Sequence, residues 1–174
     1  MTVGEEIVER FAWVDGHADV WRLFADPVLF GRIAAALAEP FRDAGIAVVC
    51  GIESRGFILG GAVARELDVG FAAIRKGAGL YPGPKVQLHT EPDYRGNRNV
   101  LRLQRQAIKP GDLVLLVDDW AERGSQARAA AELVARCGGT VAGLSVIVDQ
   151  LDTRDGLPPV HALVAAGDLG SSDM

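Results

Sequence analysis

The sequence predicts an α/β fold in which a mainly parallel central sheet is flanked by helices. Short apolar runs of strand length alternate with segments whose apolar residues recur at helical spacing, and this order is typical of parallel sheets. The composition agrees, because 49% of the residues are hydrophobic, only 6% are aromatic and 21 are glycine. The chain of 174 residues is expected to form one domain over residues 1–174, since domains commonly hold about 100–200 residues.

The N-terminal half is predicted to alternate helix and strand. The expected elements are a helix over residues 4–13, a helix over residues 26–44, a strand over residues 46–50, a loop over residues 51–57, a helix over residues 58–67 and a strand over residues 69–74. Asp26 and Pro27 favour a helix start, because aspartate can cap the first turn and proline loses no hydrogen bond there. Gly45 is suited to close the same helix.

Residues 77–99 are predicted to form a flexible loop. Four glycines and three prolines disfavour regular structure in this segment, apart from a brief strand near residues 86–90. A second brief strand is expected at residues 100–103. A connection of this length is usually a lid, a binding loop or a disordered segment.

The most informative stretch is residues 113–126. Five apolar residues form a run typical of a buried parallel strand, Asp118 and Asp119 follow as its acidic tip, and a short loop leads to an alanine-rich helix over residues 126–137. The free N–H groups at a helix start attract an anion such as phosphate, which the adjacent carboxylates would repel. We therefore expect a ribose with its hydroxyls, a divalent metal, or both to lie between the acids and a phosphate.

The predicted ligand site lies at one edge of the sheet. Strands over residues 141–148 and 160–164 complete the sheet, and ligands of such sheets bind at the carboxyl ends of the strands, near the point where strand order reverses. The segments expected to converge there are residues 53–56, 75–76, 77–99 and 118–119 with the loop that follows. Two of them are cationic and one is anionic, which suits a ligand with more than one phosphate and a polyol between them.

Charge and hydropathy exclude several other classes of protein. The net charge of −5 disfavours nucleic-acid binding, because proteins that bind the phosphate backbone usually present a basic surface. No apolar run reaches the roughly 18 residues of a membrane span, and the acidic N-terminal segment does not resemble a signal peptide. We therefore expect a cytoplasmic protein without membrane or nucleic-acid partners. The two cysteines and three histidines lack the spacing of metal ligands.

Several motifs resemble those of one enzyme family. Residues 117–125, Val-Asp-Asp-Trp-Ala-Glu-Arg-Gly-Ser, resemble the phosphoribosyl pyrophosphate signature of type I phosphoribosyltransferases, in which a strand ends in two acids and a Gly/Thr-rich loop opens a helix. Residues 51–60, 71–76 and 107–112 are similar to the adenine branch of that family. The resemblance covers roughly residues 15–165. It implies the type I phosphoribosyltransferase fold, with a small N-terminal hood over about residues 1–26 and a flexible lid over residues 77–99.

The resemblance also implies an activity and a set of site residues. The chain would transfer the 5-phosphoribosyl group of phosphoribosyl pyrophosphate to a purine or related base, with adenine the first guess. Ser54, Arg55 and Lys76 would hold the pyrophosphate. Asp118 and Asp119 would hold the ribose hydroxyls, directly or through water bound to a Mg²⁺ cofactor that the substrate carries. The residues expected to wrap the 5′-phosphate are Ala121, Glu122, Arg123, Gly124, Ser125 and Gln126. Relatives are commonly dimers, so a homodimer is expected.

The chain departs from the family pattern at three places. The usual phosphate loop Ala-Thr-Gly-Gly-Thr reads Glu-Arg-Gly-Ser-Gln at residues 122–126, and the hood motif Phe-Arg-Asp-Val reads His-Ala-Asp-Val at residues 17–20. In the lid, Glu91 and Asp93 are alternative candidates for the glutamate near the reaction centre. A second hypothesis follows from these departures: a non-catalytic or regulatory protein that binds phosphoribosyl pyrophosphate or a nucleotide on the same fold.

Overall fold

Helices and strands alternate through most of the chain in the computed structural model, which describes residues 1–77, 79–90 and 98–170. The helices in these ranges are α1 (Val3–Arg10), α2 (Trp21–Ala25), α3 (Pro27–Ala38), α4 (Arg55–Glu66) and α5 (Ser125–Arg136). The strands are β1 (Trp13–Val14), β2 (His17–Ala18), β3 (Val48–Ile52), β4 (Gly70–Lys76), β5 (Lys85–His89), β6 (Val100–Gln104), β7 (Leu113–Ala121), β8 (Thr140–Asp149) and β9 (Val160–Ala165). Single 3-10 turns lie at Glu39–Phe41, Arg105–Ala107 and Ala166–Leu169.

The central sheet has the mainly parallel arrangement predicted from the sequence. Its order is β5-β6-β4-β3-β7-β8-β9, in which β4, β3, β7, β8 and β9 run parallel and β5 and β6 pair antiparallel at one edge. The chain leaves β3 toward β4 on one side and later returns to place β7 on the other side. This reversal of strand order opens a crevice at the carboxyl ends of β3 and β7, where ligands of such sheets bind.

Helices cover both faces of the sheet, as predicted. One face packs against α5, which contributes Leu133 and Val134 to a buried cluster, and the other packs against α1 to α4. Adjacent residues of β7 face opposite sides of the sheet. Leu116 packs in the buried cluster on the α5 side, and Leu115 packs in the buried cluster on the side of α1 to α4. Every residue of β3 is buried, which agrees with a central parallel strand.

The start of α3 confirms the predicted aspartate cap, but its end corrects the prediction. Asp26 Oδ1 accepts hydrogen bonds from the backbone N–H groups of Val28 and Leu29 at 2.9 and 3.0 Å. The bond from Leu29, followed by the bond from the Arg10 side chain, lowers the pKa of Asp26. The helix ends at Ala38 instead of residue 44. Pro40 lacks the N–H needed to continue an α-helix, and the chain tightens there into a 3-10 turn.

The connection between β3 and α4 is shorter than the predicted loop over residues 51–57. The strand continues to Ile52 and the helix begins at Arg55, so the backbones of the two elements approach closely. A Cβ atom added at Gly51 would lie 2.1 Å from the carbonyl oxygen of Gly56. Glycine at these positions therefore allows the start of α4 to press against the end of β3.

The first part of the predicted flexible loop is held against the sheet. The Tyr81 hydroxyl donates to the Ala73 carbonyl oxygen, and Arg75 Nη1 donates to the Leu80 carbonyl oxygen, both at 2.6 Å. The predicted brief strand is present as β5 and pairs with β6. Residues 78 and 91–97 lie outside the described part of the chain, and the candidates Glu91 and Asp93 lie among them.

The segment predicted to form the hood, about residues 1–26, contains α1, a small hairpin and α2. Strands β1 and β2 pair antiparallel through a turn at Asp15 and Gly16, which have φ angles of 50° and 74°. The hairpin packs over the carboxyl end of β7, where the ring centroids of Trp13 and Trp120 lie 6.0 Å apart. None of the helices in the described ranges combines the length and apolarity needed to cross a membrane.

Candidate active site

A cavity of about 540 Å³ opens at the carboxyl ends of β3 and β7. The hairpin, the β3–α4 connection, the end of β4 and the loop after β7 contribute to its wall. The predicted substrate-binding residues that line it are Ser54, Arg55, Lys76, Asp118, Asp119, Ala121, Glu122, Arg123, Gly124, Ser125 and Gln126. The fold therefore brings together every substrate-binding residue that the sequence singled out.

The two acids lie inside a strand, which corrects the expectation of an acidic tip after it. β7 continues to Ala121 because β8 is long enough to pair with it, as far as the partners Ala121 and Asp149. Asp118 and Asp119 are consequently only 9% and 5% exposed. Their carboxylates line the cavity from a rigid strand instead of a solvated turn.

Asp118 is a buried carboxyl whose ionisation is disfavoured by its surroundings. Burial raises the pKa of Asp118 well above its ordinary value, and the neighbouring charge of Asp119 raises it further. Its Oδ1 atom accepts a hydrogen bond of 2.9 Å from the Asp119 backbone N–H. The start of α4 closes the space on one side, because a Cβ atom added at Gly56 would lie 3.1 Å from the same oxygen. A carboxyl in this position is neutral over a wider pH range than an exposed aspartate.

Asp119 forms an ion pair with Arg55. The Oδ2 atom of Asp119 lies 2.8 Å from Arg55 Nε, and the two side chains are 7% and 33% exposed. The same oxygen is buried and accepts no hydrogen bond of good geometry from the described residues. The pair thus joins the start of α4 to the end of β7 and neutralises one of the two buried acids. The Asp119 carboxylate can still accept a hydrogen bond from a ligand.

Lys76 is the last residue of β4 and is held in the wall by Glu53. The Glu53 carboxylate accepts a hydrogen bond of 2.7 Å from the Lys76 backbone N–H and lies 3.6 Å from Arg75 Nε. The positive charge of Lys76 lowers the pKa of Asp118, against the stronger effect of burial. Glu53 lines the cavity but was not predicted as a site residue. Its place between two basic residues is a tertiary contact that the local pattern does not contain.

Two helices begin at the cavity without a capping side chain. Ser54 precedes α4 and Gly124 precedes α5, and neither start has a side-chain hydrogen bond to its first N–H groups. Gly124 has a φ angle of 72°, which favours glycine, and a Cβ atom there would lie 2.8 Å from Leu157 Cδ1 and displace the end of that side chain. Glu122 in the loop before α5 is exposed. Free N–H groups at the two helix starts provide two places that attract anions.

Aromatic residues of the β1–β2 hairpin and of β7 form one wall of the cavity. Trp13, His17 and Trp120 line the cavity, and Phe11 packs edge-on against Trp13 at 5.4 Å. The Trp120 indole N–H donates to Gln150 Oε1 at 2.7 Å, which fixes the plane of that ring. Trp120 directly follows the acid pair, which is a local signal for its place in the wall, whereas its contacts with Trp13 and Gln150 join segments far apart in the chain.

The sequence profile of the phosphoribosyl transferase domain matches residues 22–159. This chain belongs to the phosphoribosyltransferase family. It is 42% identical to the adenine phosphoribosyltransferase of Dinoroseobacter shibae over 134 residues, which are 77% of this chain and 73% of that protein. It is 37% identical to the adenine phosphoribosyltransferase of a Jannaschia species over 153 residues, which are 84% of each protein.

Solved structures of the family have the same fold. The adenine phosphoribosyltransferase of Rhodothermus marinus superposes with a TM-score of 0.85 at 35% identity and covers 94% of this chain and 98% of its own. The enzyme of Giardia lamblia, solved with 9-deazaadenine, gives a TM-score of 0.82 at 27% identity, with 95% and 98% covered. The type I phosphoribosyltransferase fold predicted from the sequence motifs is therefore confirmed.

The raised pKa of Asp118 predicts how the stability of this phosphoribosyltransferase depends on pH. Between the ordinary value of 3.8 and the folded value, the native state binds more protons than the unfolded chain, so stability falls as pH rises through that window. Asp118→Asn removes this loss of stability, because asparagine does not ionise. Without ligand, the melting temperature of Asp118→Asn should exceed that of the wild type by at least about 3 °C at about pH 7.5, with a smaller difference at about pH 4.

The matched control is Asp43→Asn, which changes an exposed aspartate. Its melting temperature should stay close to that of the wild type at both pH values, because substitutions of exposed residues usually change stability by less than about 0.5 kcal/mol. Thermal unfolding followed by circular dichroism at both pH values measures the effect. Equal melting temperatures of Asp118→Asn and the wild type at about pH 7.5 would contradict the raised pKa.

Proposed function

We propose that this chain transfers the 5-phosphoribosyl group of phosphoribosyl pyrophosphate to a purine or related base, with adenine the first candidate, and releases a nucleoside monophosphate and pyrophosphate. The observation that carries the proposal is the placement of the buried acids Asp118 and Asp119 between two uncapped helix starts in one cavity. This arrangement fits a polyol flanked by two phosphate-bearing groups. The adenine phosphoribosyltransferases similar to this chain support the same activity.

The leaving pyrophosphate is assigned to the start of α4. Backbone N–H groups after Ser54, the guanidinium of Arg55 and the ammonium of Lys76 lie in the wall of the cavity on this side. Negative charge accumulates on the pyrophosphate as its bond to the ribose breaks, and these groups neutralise it. Arg55 contributes most, because its planar fork can donate two parallel hydrogen bonds to phosphate oxygens.

The ribose 5-phosphate is assigned to the acids and the start of α5. The N–H groups that follow Gly124 accept the 5′-phosphate, and the ribose hydroxyls donate to Asp118 and Asp119. A hydroxyl that donates to Asp118 favours its ionised form, so ligand binding lowers the raised pKa of this carboxyl. Carboxylates beside the ribose also support the positive charge that develops on the ring in the transition state.

The acid pair fits a role in Mg²⁺ binding through the substrate. No group of three or more histidine, cysteine or acidic residues among residues 1–77, 79–90 and 98–170 is placed to hold a metal by itself. The buried Oδ2 of Asp119, which lacks a hydrogen bond, fits a water molecule in the shell of a cation that the pyrophosphate carries. Such an ion neutralises pyrophosphate charge when it is bound.

The base is assigned to the aromatic wall beneath the hood. Trp13 and Trp120 present ring surfaces to the cavity, and a flat heteroaromatic ligand gains contact with such surfaces. His17 lies at the position where the family motif of the hood begins, and the arginine of that motif is replaced by Ala18. Glu91 and Asp93 lie outside the described residues, so the assignment of one of them to the reaction centre stays a prediction. The homodimer and the cytoplasmic location also stay predictions.

A panel of bases tests the proposed activity. Adenine, guanine, hypoxanthine and xanthine are each incubated with the protein, phosphoribosyl pyrophosphate and Mg²⁺, and pyrophosphate release is measured. We expect release with adenine to exceed release with the other three bases by at least about tenfold, because one pocket discriminates related bases through its polar contacts. Turnover of no base, together with retained binding of phosphoribosyl pyrophosphate, would instead support the non-catalytic binding protein.

A further inference from the structure

The phosphate loop of this chain is supported by an arginine outside the cavity. The loop reads Glu-Arg-Gly-Ser-Gln over residues 122–126, without the two threonines of the usual family pattern. The backbone N–H groups of the loop are retained despite this change of side chains. The contribution of these N–H groups to phosphate affinity depends on how firmly the loop backbone is held, because a donor contributes most when it is already oriented toward the acceptor.

Arg128, in the first turn of α5, connects three segments of backbone. Its Nη2 atom donates to the carbonyl oxygen of Arg123 at 3.0 Å, and its Nη1 atom makes a longer contact of 3.4 Å with the carbonyl oxygen of Asp155. Its own backbone N–H donates to the carbonyl oxygen of Gly124 at 2.8 Å. One side chain thus links the phosphate loop, the start of α5 and the connection between β8 and β9.

The β8–β9 connection packs closely around this link. A Cβ atom added at Gly124 would lie 2.8 Å from Leu157 Cδ1 and 3.1 Å from Arg128 Nη1. A Cβ atom added at Gly156 would lie 3.4 Å from Arg128 Cδ. Glu122 to Ala127 line the cavity, whereas Arg128 does not. The arginine therefore holds the loop from the side opposite the ligand.

The bond from Arg128 acts on a donor of the phosphate loop through a rigid peptide unit. The carbonyl of Arg123 and the N–H of Gly124 belong to one planar trans peptide, in which the C=O and N–H bonds point in opposite directions. Holding the carbonyl toward Arg128 directs the N–H away from it. A hydrogen bond to the carbonyl also strengthens that N–H as a donor.

The charge of Arg128 requires compensation in the free protein. A cation in the first turn of a helix is disfavoured by the partial positive charge of the helix start, by about 0.3–1 kcal/mol. The carbonyl oxygens of Arg123 and Asp155 offset this cost. A phosphate bound at the same helix start adds a negative charge and further favours the arrangement.

We propose that Arg128 is a positioning residue for the 5′-phosphate, which orients the backbone N–H groups of the loop without touching the ligand. The inference rests on the proposed function for the identity of the ligand. It predicts that loss of the Arg128 bonds weakens binding at the phosphate loop and leaves the pyrophosphate end of the cavity, at Ser54 and Arg55, unaffected.

Two probes separate the ends of the cavity. Binding of ribose 5-phosphate and, separately, of inorganic pyrophosphate is measured by isothermal titration calorimetry with the wild type, Arg128→Met and Arg128→Lys. We expect Arg128→Met to weaken ribose 5-phosphate binding by about tenfold, which matches the loss of one charge-assisted hydrogen bond. Arg128→Lys should weaken it by at least about fivefold, because an ammonium on a flexible stem cannot reproduce the planar fork. Pyrophosphate affinity should stay within about twofold of the wild type in both variants.

Arg136→Met is the matched control, since Arg136 is an exposed arginine of the same helix that pairs with Glu132 one turn earlier. It should bind both probes like the wild type. Ribose 5-phosphate affinity within twofold of the wild type in Arg128→Met, full affinity in Arg128→Lys, or an equal loss of pyrophosphate affinity would overturn the inference. Where Arg128→Met does not fold, Arg128→Lys decides.

The outcome is independent of the base panel. If Arg128→Met weakens ribose 5-phosphate binding but not pyrophosphate binding, and no base is turned over, the proposed activity is contradicted and the role of Arg128 is supported. Adenine turnover by the wild type without a difference between the probes would contradict the role of Arg128 alone.

Discussion

Replacing Arg55 with methionine is expected to lower kcat/KM for phosphoribosyl transfer by about 10³-fold, equivalent to about 4 kcal/mol of transition-state stabilisation. Two losses combine in this variant. The leaving pyrophosphate loses a guanidinium fork, and Asp119, whose side chain is only 7% exposed, loses the Arg55 Nε that lies 2.8 Å from it. A buried carboxylate without its partner is costly, so the geometry of the acid pair also suffers.

A double-mutant cycle with Asp119→Asn separates the two losses. If the ion pair positions both groups, the losses of Arg55→Met and Asp119→Asn will be strongly non-additive, and the double variant will be little worse than the worse single variant. Steady-state kinetics with phosphoribosyl pyrophosphate as the varied substrate measure each kcat/KM. Additive losses would show that the two residues act separately.

Arg65→Met is the control for this cycle. Arg65 lies on the same helix, its side chain is 83% exposed, and its partner Asp68 is 93% exposed. Exposed ion pairs of this kind contribute about 0–1 kcal/mol, and this one is on the surface of α4. Its kcat/KM should therefore equal that of the wild type. A loss comparable to that of Arg55→Met would indicate a general effect of removing charge from α4.

Gly51→Ala is expected to lower the free energy of unfolding by about 3 kcal/mol, at the upper end of the range for overpacked sites. The added Cβ would lie 2.1 Å from the carbonyl oxygen of Gly56 and 2.8 Å from a ring carbon of Phe71. The first neighbour is backbone, so relief requires β3 and α4 to separate. Because α4 begins with Arg55, the same shift would displace the ion pair with Asp119.

Gly61→Ala is the matched control on α4. Apart from the adjacent backbone of α4 itself, no atom lies within 4 Å of a Cβ added there, and alanine is favoured over glycine inside a helix by about 0.8–1 kcal/mol. This variant should therefore be more stable than the wild type. Urea unfolding at equilibrium measures both changes. A loss below about 1 kcal/mol in Gly51→Ala would mean that β3 and α4 can separate without cost.

Much of the fold was predictable because its signals are local. A buried parallel strand is a short apolar run, and an amphipathic helix repeats its apolar residues every three or four positions, so most strands and helices were placed within a few residues of their observed ends. One error lies where a neighbouring element changes the outcome, and another where the apolar pattern continues up to a local helix breaker. β7 runs four residues past its apolar run because β8 continues to pair with it, and α3 stops before Pro40.

The order of elements, the acid pair directly after an apolar run, the two glycine-bearing helix starts and the basic strand end followed from the sequence, because residue types and their spacing carry that information. The position of the acids inside β7 and the contacts of the site did not. The pairing of Asp119 with Arg55, the aromatic wall around Trp120 and the link from Arg128 to the phosphate loop join segments that are distant in the chain or separated by turns. Such contacts depend on the register and packing of the folded chain, which no local pattern specifies.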